Sequence, residues 1–97
     1  SPGAIINSCA KIEDNTIINT NSILEHETYV GKNSNISPGV IIGGRTTIGQ
    51  DCFIGLGTKI IDNIKIGKNV FIGAGSLIIK DIEDNSKVFG SPAKKYK

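Results

Sequence analysis

His26, the only histidine in the 97-residue chain, is the side chain best suited to proton transfer. The ordinary pKa of a histidine side chain lies close to neutral pH, so an imidazole can take a proton from a substrate under physiological conditions. Glu27 follows directly, and its carboxylate could hold the ring and raise its basicity. His26 and Glu27 are therefore the candidate catalytic residues, with His26 as the general base.

A ladder of aliphatic residues spaced six apart must position this pair. Ile, Leu or Val occupies thirteen consecutive multiples of six, namely Ile6, Ile12, Ile18, Leu24, Val30, Ile36, Ile42, Ile48, Ile54, Ile60, Ile66, Ile72 and Ile78. A small or β-branched residue usually stands two positions earlier and faces the same interior, because strand side chains alternate. This period predicts a parallel β-helix whose triangular coil takes three segments, or about eighteen residues. We expect one all-β domain over 1–97, with repeats over 6–83 in about five coils and a C-terminal cap over 84–97.

The fourth place of each six-residue segment predicts a tight corner. Most segments carry Gly, Asn or Asp there, the residues that best tolerate positive φ. Within the repeat only Cys9, Glu27 and Arg45 depart from this rule, and their spacing of eighteen stacks them at one corner. Local rules that fail together are expected at functional sites. One coil beyond His26, Gly44 would leave a slot for a ligand arm, and its amide could meet the oxyanion of an attacked thioester.

Composition excludes several classes of function. A net charge of +2 is too small to argue for nucleic-acid binding, and no stretch has the length or character of a membrane span or a signal peptide. Cys9 and Cys52 occupy different positions of the repeat, which disfavours a disulfide and favours a reducing, cytoplasmic setting. A single histidine excludes the three-histidine metal site of a γ-class carbonic anhydrase, so we expect no metal.

Residues just before each aliphatic point outward and sort into three faces. Two faces are largely apolar: one is Ile5, Ile23, Ile41, Lys59 and Leu77, the other Ile17, Asn35, Phe53, Phe71 and Phe89. The third, Lys11, Tyr29, Thr47, Lys65 and Glu83, is polar. Apolar stripes of this length rarely stay exposed on a monomer, and two such faces per subunit suit a closed threefold ring. The sequence therefore predicts a homotrimer, with a covering domain of the same chain as the alternative.

The whole repeat resembles the hexapeptide-repeat acyltransferases, which implies a left-handed, single-stranded parallel β-helix. The stretch Ile23-Leu24-Glu25-His26-Glu27, followed by Val30-Gly31, resembles the active-site segment in the C-terminal domain of sialic acid and bacillosamine-type sugar acetyltransferases. That resemblance implies direct transfer of an acetyl group from acetyl-CoA to an amine or hydroxyl of a sugar, which can be nucleotide-activated. His26 would be the base and Glu27 its support.

The resemblance also implies binding residues. Acetyl-CoA is contacted largely through backbone, at positions that correspond to Asn35, Leu56 and Ala74, and Asn19 corresponds to a residue near the acceptor sugar. Relatives of the closest type carry an N-terminal Rossmann-like domain for the nucleotide sugar, which these residues lack. Either this chain is the catalytic half of a longer protein or it recognises its acceptor differently.

Two other functions remain open from the sequence. One is acetylation of serine or another small molecule, because those acetyltransferases share the fold and cofactor, although they place their histidine in different surroundings. The other is a trimeric scaffold without chemistry, which acetyl-CoA would not stabilise.

Overall fold

The computed structural model shows a left-handed parallel β-helix and describes residues 3–6 and 9–96. Thirteen two-residue strands, one per segment, are followed by two longer ones. Their bounds are β1 Ile5–Ile6, β2 Lys11–Ile12, β3 Ile17–Ile18, β4 Ile23–Leu24, β5 Tyr29–Val30, β6 Asn35–Ile36, β7 Ile41–Ile42, β8 Thr47–Ile48, β9 Phe53–Ile54, β10 Lys59–Ile60, β11 Lys65–Ile66, β12 Phe71–Ile72, β13 Leu77–Ile78, β14 Lys87–Gly90 and β15 Ala93–Tyr96. The predicted all-β fold is confirmed. Of the predicted domain 1–97, residues 1–2, 7–8 and 97 lie outside the described part.

Three parallel sheets form the sides of the prism. Sheet 1 is β1-β4-β7-β10-β13, sheet 2 is β2-β5-β8-β11, and sheet 3 is β3-β6-β9-β12-β14-β15. As far as β13, each strand pairs in parallel with the strand eighteen residues away, as Ile23 does with Ile41 and Tyr29 with Thr47. The outward columns predicted from the sequence are therefore confirmed as far as Leu77. The prism measures 33 × 21 × 20 Å between its outermost Cα atoms.

The interior is filled by the aliphatic ladder. From Leu24 to Ile78 its members are at most 3% exposed, whereas Ile6 is 49% exposed because no described coil covers it on the N-terminal side. The small inward residues bind the backbone fifteen residues on, as when Ser34 Oγ donates to Gly49 O at 3.0 Å and Ser22 Oγ to Ser37 O at 2.9 Å. These bonds satisfy hydroxyl groups that would otherwise be costly to bury. Among the described residues, every buried side-chain polar atom has a partner.

The corners show the predicted positive φ at every sixth residue from Cys9 to Gly75. Cys9, Glu27 and Arg45 adopt it too, at φ of 63°, 60° and 57°. A side chain in this left-handed region costs roughly 1–2 kcal/mol, less for Asn or Asp, so these three residues are strained relative to their neighbours. The three residues that depart from the sequence pattern therefore make this corner less stable than the others.

The last coil corrects the predicted register. Phe71 pairs with Lys87, and Ile66 bridges Ile82, so this coil advances by sixteen residues rather than eighteen. The corner after Ile78 is two residues shorter, Asp81 has no positive φ, and Asn85 takes the next left-handed position. Glu83 therefore does not occupy the column assigned to it, and Lys87 takes the register position predicted for Phe89. Phe89 still lies on the predicted face, with its ring 5.9 Å from that of Phe71.

The C-terminal cap is a strand that folds back. After the turn at Ser91-Pro92, β15 pairs antiparallel with β14, with Lys87 opposite Tyr96 and Gly90 opposite Ala93. This pairing covers the edge of sheet 3, where an unpaired strand would invite association. The described residues include no helix that could cross a membrane.

Candidate active site

His26 lies at the corner between sheets 1 and 2. We call this the His26 corner, residues 25–28, 43–46 and 61–64 in successive coils. The imidazole lies over Gly44, where an added Cβ would sit 3.2 Å from His26 Cε1 and 3.4 Å from Nε2. Gly44 has a φ outside the left-handed region, so a glycine is required here for space and not for backbone conformation. The ring itself lies against the buried Gly44, and His26 is exposed to solvent, so a slot for a ligand arm beside the imidazole stays a prediction.

The Gly44 backbone is held by a residue whose role the sequence did not predict. Gly44 N–H donates to Asp62 Oδ1 at 3.1 Å, and Arg45 N–H donates to the His26 carbonyl at 3.0 Å. The Gly44 amide is thus already used, and a carboxylate beside it would repel an oxyanion. The predicted contact between the Gly44 amide and an oxyanion is therefore wrong. Asp62 stands in the His26 column of the sequence, eighteen residues after Gly44, and that position was the available signal.

Glu27 is exposed at the left-handed position that follows His26. Within the described part of the chain, no hydrogen bond or ion pair joins the Glu27 carboxylate to the His26 ring. Support of the base by Glu27 therefore stays a prediction, which needs the two exposed side chains to rotate together when a ligand binds.

The predicted cofactor residues lie at a different edge of the prism. Leu56 and Ala74 stack at the corner between sheets 3 and 1, which we call the Leu56 corner: residues 19–22, 37–40, 55–58 and 73–76. Leu56 is 58% exposed, and a Cβ added at the neighbouring Gly57 or Gly75 would meet nothing within 4 Å. Among the described residues, the amide N–H groups of Leu56 and Ala74 have no acceptor. Two open donors therefore lie one coil apart, about 4.8 Å.

Asn19 and Asn35 come together beside this second corner. Asn19 Nδ2 donates to Asn35 Oδ1 at 3.2 Å and to the Ile36 carbonyl at 3.0 Å. The predicted acceptor residue and one predicted cofactor residue are thus hydrogen-bonded to each other. Because sheet 1 separates the two corners, His26 is not part of this cluster.

Neither of the two main cavities includes His26. One of about 800 Å³ lies at the C-terminal end, between the last coil and β15, with Ile78, Ile82 and Lys94 in its lining. The other, about 430 Å³, lies beside sheet 2 at Tyr29, where desolvation and the adjacent Glu13 raise the pKa of the phenol. In the part of the chain that the structure describes, the imidazole is therefore an open surface group.

Both cysteines are free thiols, as predicted: Cys9 is exposed and Cys52 is buried. Cys52 Sγ donates to the Gly67 carbonyl at 3.1 Å, and burial raises the pKa of the thiol. A thiol kept protonated inside the prism is a structural group and no nucleophile.

The repeat matches the bacterial transferase hexapeptide (six repeats) family over residues 9–44 and 45–80. The chain belongs to this family. Among solved structures it is similar to the acetyltransferase domain of PglB from Neisseria gonorrhoeae FA1090, at 33% identity over 97% of this chain and 46% of that one, with a TM-score of 0.95. The same domain in complex with acetyl coenzyme A matches at 33% identity over 99% and 53%, with a TM-score of 0.83.

A serine acetyltransferase from Neisseria gonorrhoeae, in complex with serine, is nearly as similar. It shares 32% identity over 95% of this chain and 42% of that one, with a TM-score of 0.89. The hexapeptide chain spans about half the length of these structures. Overall identity therefore does not separate these two kinds of acetyltransferase.

Proposed function

We propose that the protein is an acetyltransferase that uses acetyl-CoA, with His26 as general base. An amine or hydroxyl of a sugar attacks the carbonyl carbon of the thioester while His26 takes its proton. The tetrahedral intermediate then expels the CoA sulfur, which leaves as the thiol after the imidazolium returns the proton. The observation that carries this proposal is the lone imidazole, which is exposed and lies against Gly44, where a side chain would displace it.

The Leu56 corner supports binding of acetyl-CoA. The pantetheine arm of CoA carries two amide groups, whose carbonyl oxygens accept hydrogen bonds, and the Leu56 and Ala74 amides are unused donors. The similarity to a domain solved with acetyl coenzyme A points the same way. Asn35 and Asn19 are bonded to each other at the edge of this corner, which supports contacts of Asn35 with the cofactor and of Asn19 with the acceptor.

Two copies of the chain are needed to complete such a site. His26 and the Leu56 corner lie on opposite edges of sheet 1, which supports a site that takes its base from one chain and its cofactor corner from a neighbour. The apolar side chains on the prism favour association: Phe53 and Phe71 stack at 5.1 Å on sheet 3 and are both more than a third exposed. We propose a homotrimer with its sites between neighbours, in the cytoplasm, where thiols stay reduced.

Acetyl-CoA consumption tests the reaction directly. The panel is nucleotide-activated amino sugars, sialic acid and L-serine, with the His26→Gln variant as comparison. We expect turnover with a sugar acceptor and a loss of about 10²–10⁴-fold on replacement of the base. Undiminished turnover in His26→Gln would remove His26 as base, and a preference for serine would replace the sugar acceptor. A melting temperature unchanged by acetyl-CoA would favour a scaffold without chemistry.

Proline substitution tests the open amides. Pro38 stands in the same corner column, one coil before Leu56, so this backbone accepts a proline. Ala74→Pro deletes one N–H donor, and Ala74→Ser is the control that keeps it. We expect roughly tenfold weaker acetyl-CoA binding for Ala74→Pro alone, with little change in melting temperature. Equal affinity of the two variants would show that the amide does not contact the cofactor.

Mixed assembly tests the shared site. Under this proposal His26→Ala is inactive and Ala74→Pro binds acetyl-CoA about tenfold more weakly. The two variants are refolded together in equal amounts and assayed at an acetyl-CoA concentration well below the Kd of Ala74→Pro. If each site takes His26 from one chain and Ala74 from its neighbour, about a quarter of the sites recover both intact residues. If both residues act from the same chain, no site recovers. Sedimentation of the wild-type chain and of Phe53→Glu tests the trimer independently.

A further inference from the structure

We propose that Arg45 binds an anionic group of the acceptor and so selects acceptors that carry one. This inference rests on the proposed function, because it assigns a specificity-determining residue to the same site. Arg45 is the one member of the strained column at the His26 corner that carries a positive charge, and the catalytic proposal does not use it.

The Arg45 guanidinium is available to a ligand. Its side chain is exposed, and among the described residues it makes no ion pair or hydrogen bond. Glu27 precedes it by one coil in the same column, close enough for an ion pair about 4.8 Å away along the prism, yet no pair forms. Asn63, which follows by one coil, carries no charge. Among the described residues, the Glu27 and Arg45 side chains of this column are therefore not paired with each other.

The backbone at Arg45 indicates that its side chain is retained for a reason other than folding. Arg45 has φ of 57°, at a place where Asn63 in the next coil has 62°. Asparagine adopts this conformation more easily than arginine, so the corner would be more stable with asparagine at both positions. Strain that persists in a native structure commonly marks a site of function.

Position decides which anion Arg45 can reach. Arg45 directly follows Gly44, on which the imidazole lies, so an arginine side chain extended from this position can reach the atom that reacts. An extended pantetheine arm puts the phosphates of CoA roughly 15 Å from the thioester, about twice the reach of an arginine side chain from its own Cα. In a nucleotide-activated sugar, one ring separates an attacking amine from the diphosphate, roughly 6 Å. An anion within reach of Arg45 therefore belongs to the acceptor.

Arginine suits such a contact because its planar fork can bond two oxygens of a phosphate or carboxylate at once. The shared chemistry of the ligand is a phosphate or carboxylate oxygen pair next to the nucleophile. A diphosphate-linked amino sugar provides it, and so does the carboxylate of an acidic sugar or of an amino acid.

The test compares Arg45→Gln, which removes the charge, with Arg45→Lys, which keeps it, and with Lys32→Gln as a matched charge loss at another corner. Steady-state kinetics are measured with a UDP-linked amino sugar, with the corresponding neutral methyl glycoside, and with an acceptor whose anion is a carboxylate. We expect Arg45→Gln to raise the KM of the charged acceptor about 10–100-fold, with kcat, the KM of acetyl-CoA and the neutral acceptor nearly unchanged. The KM of the charged acceptor for Arg45→Lys should lie between those of wild type and Arg45→Gln, and the KM for Lys32→Gln should equal that of wild type.

Three results would overturn the assignment. They are an unchanged KM for the charged acceptor in Arg45→Gln, an equal loss with the neutral acceptor, or a raised KM for acetyl-CoA instead. If the KM rises more for the UDP-linked acceptor, the anion bound by Arg45 is a diphosphate; if it rises more for the other charged acceptor, the anion is a carboxylate. Calorimetric titration with UDP-N-acetylglucosamine and with N-acetylneuraminate separates this inference from the proposed function. If no acceptor is turned over, weaker binding to Arg45→Gln than to wild type still supports the anion site, and equal binding still refutes it.

Discussion

Adding one methyl group at Gly44 should abolish most activity without unfolding the protein. The new Cβ would lie 3.2 Å from His26 Cε1, a contact that the exposed imidazole relieves by moving a few tenths of an ångström. It would also lie 3.3 Å from the His26 carbonyl oxygen, a backbone contact that needs a small shift between the two coils. Because the φ of Gly44 is accessible to alanine, we expect a loss of less than about 1 kcal/mol in unfolding free energy. Filling the slot and displacing the base should lower kcat by roughly 10²-fold.

Gly43→Ala is the matched control, one residue earlier in the same coil. A Cβ there would approach the backbone of the next coil, at 2.6 Å from Asp62 N and 2.7 Å from the Ile61 carbonyl carbon. Backbone cannot rotate away, so this overpacking should cost about 1–3 kcal/mol. A domain of this size loses about 4–8 °C in melting temperature per kcal/mol, so the two variants are easily distinguished by a thermal scan.

Acetyl-CoA consumption and a thermal scan are measured on both variants. The expected pattern is a stable, inactive Gly44→Ala and an unstable Gly43→Ala. Wild-type turnover in Gly44→Ala would refute the importance of the slot. Equal losses of melting temperature in both variants would show that Gly44 is needed for packing, as Gly43 is.

Three further expectations follow from the corners and the interior. Glu27→Asn and Arg45→Asn should each stabilise the protein by about 1 kcal/mol, because asparagine relieves the left-handed strain, while Glu27→Asn lowers turnover. Ser34→Ala should lower the free energy of unfolding by about 1–3 kcal/mol, because the Ser34 hydroxyl accepts from the Cys52 amide and donates to the Gly49 carbonyl. Iodoacetamide at pH 8 should label Cys9 and spare Cys52, because burial raises the pKa of the Cys52 thiol and keeps it protonated. The same raised pKa means that, above the ordinary pKa of a thiol, Cys52 ionises in the unfolded chain before it does in the folded one. The free energy of unfolding should therefore fall as the pH rises through that range.

The controls for these experiments come from the same chain. Thr47→Ala, on the exposed side of β8, should leave the melting temperature unchanged where Ser34→Ala lowers it. A destabilised Arg45→Asn would mean that the guanidinium makes a stabilising contact in the assembled protein. Alkylation of Cys52 at the same rate as Cys9 would mean that the coils open readily in solution.

The six-residue period of the sequence was sufficient to predict the β-helix and the corner at which the pattern of turn residues fails. Each six-residue segment contains the residues that determine its local structure: an aliphatic residue that is buried, a small residue that fits beside it, and a corner residue that accepts positive φ. Since these are local requirements repeated every six residues, the strands, the corners and the strained column of Cys9, Glu27 and Arg45 could all be predicted. His26 could be placed over Gly44 for the same reason, because eighteen residues make one coil.

Only the tertiary structure decided how these corners are connected and which backbone groups stay open. The carboxylate of Asp62 binds the Gly44 amide while the Leu56 and Ala74 amides remain free, a difference that depends on side-chain geometry between stacked coils and not on the repeat. The last coil is two residues short because the corner after Ile78 closes early against β11, and no local rule for six-residue segments includes that long-range pairing. The separation of His26 from the Leu56 corner is likewise a property of a closed triangle, since the period is the same along all three sides.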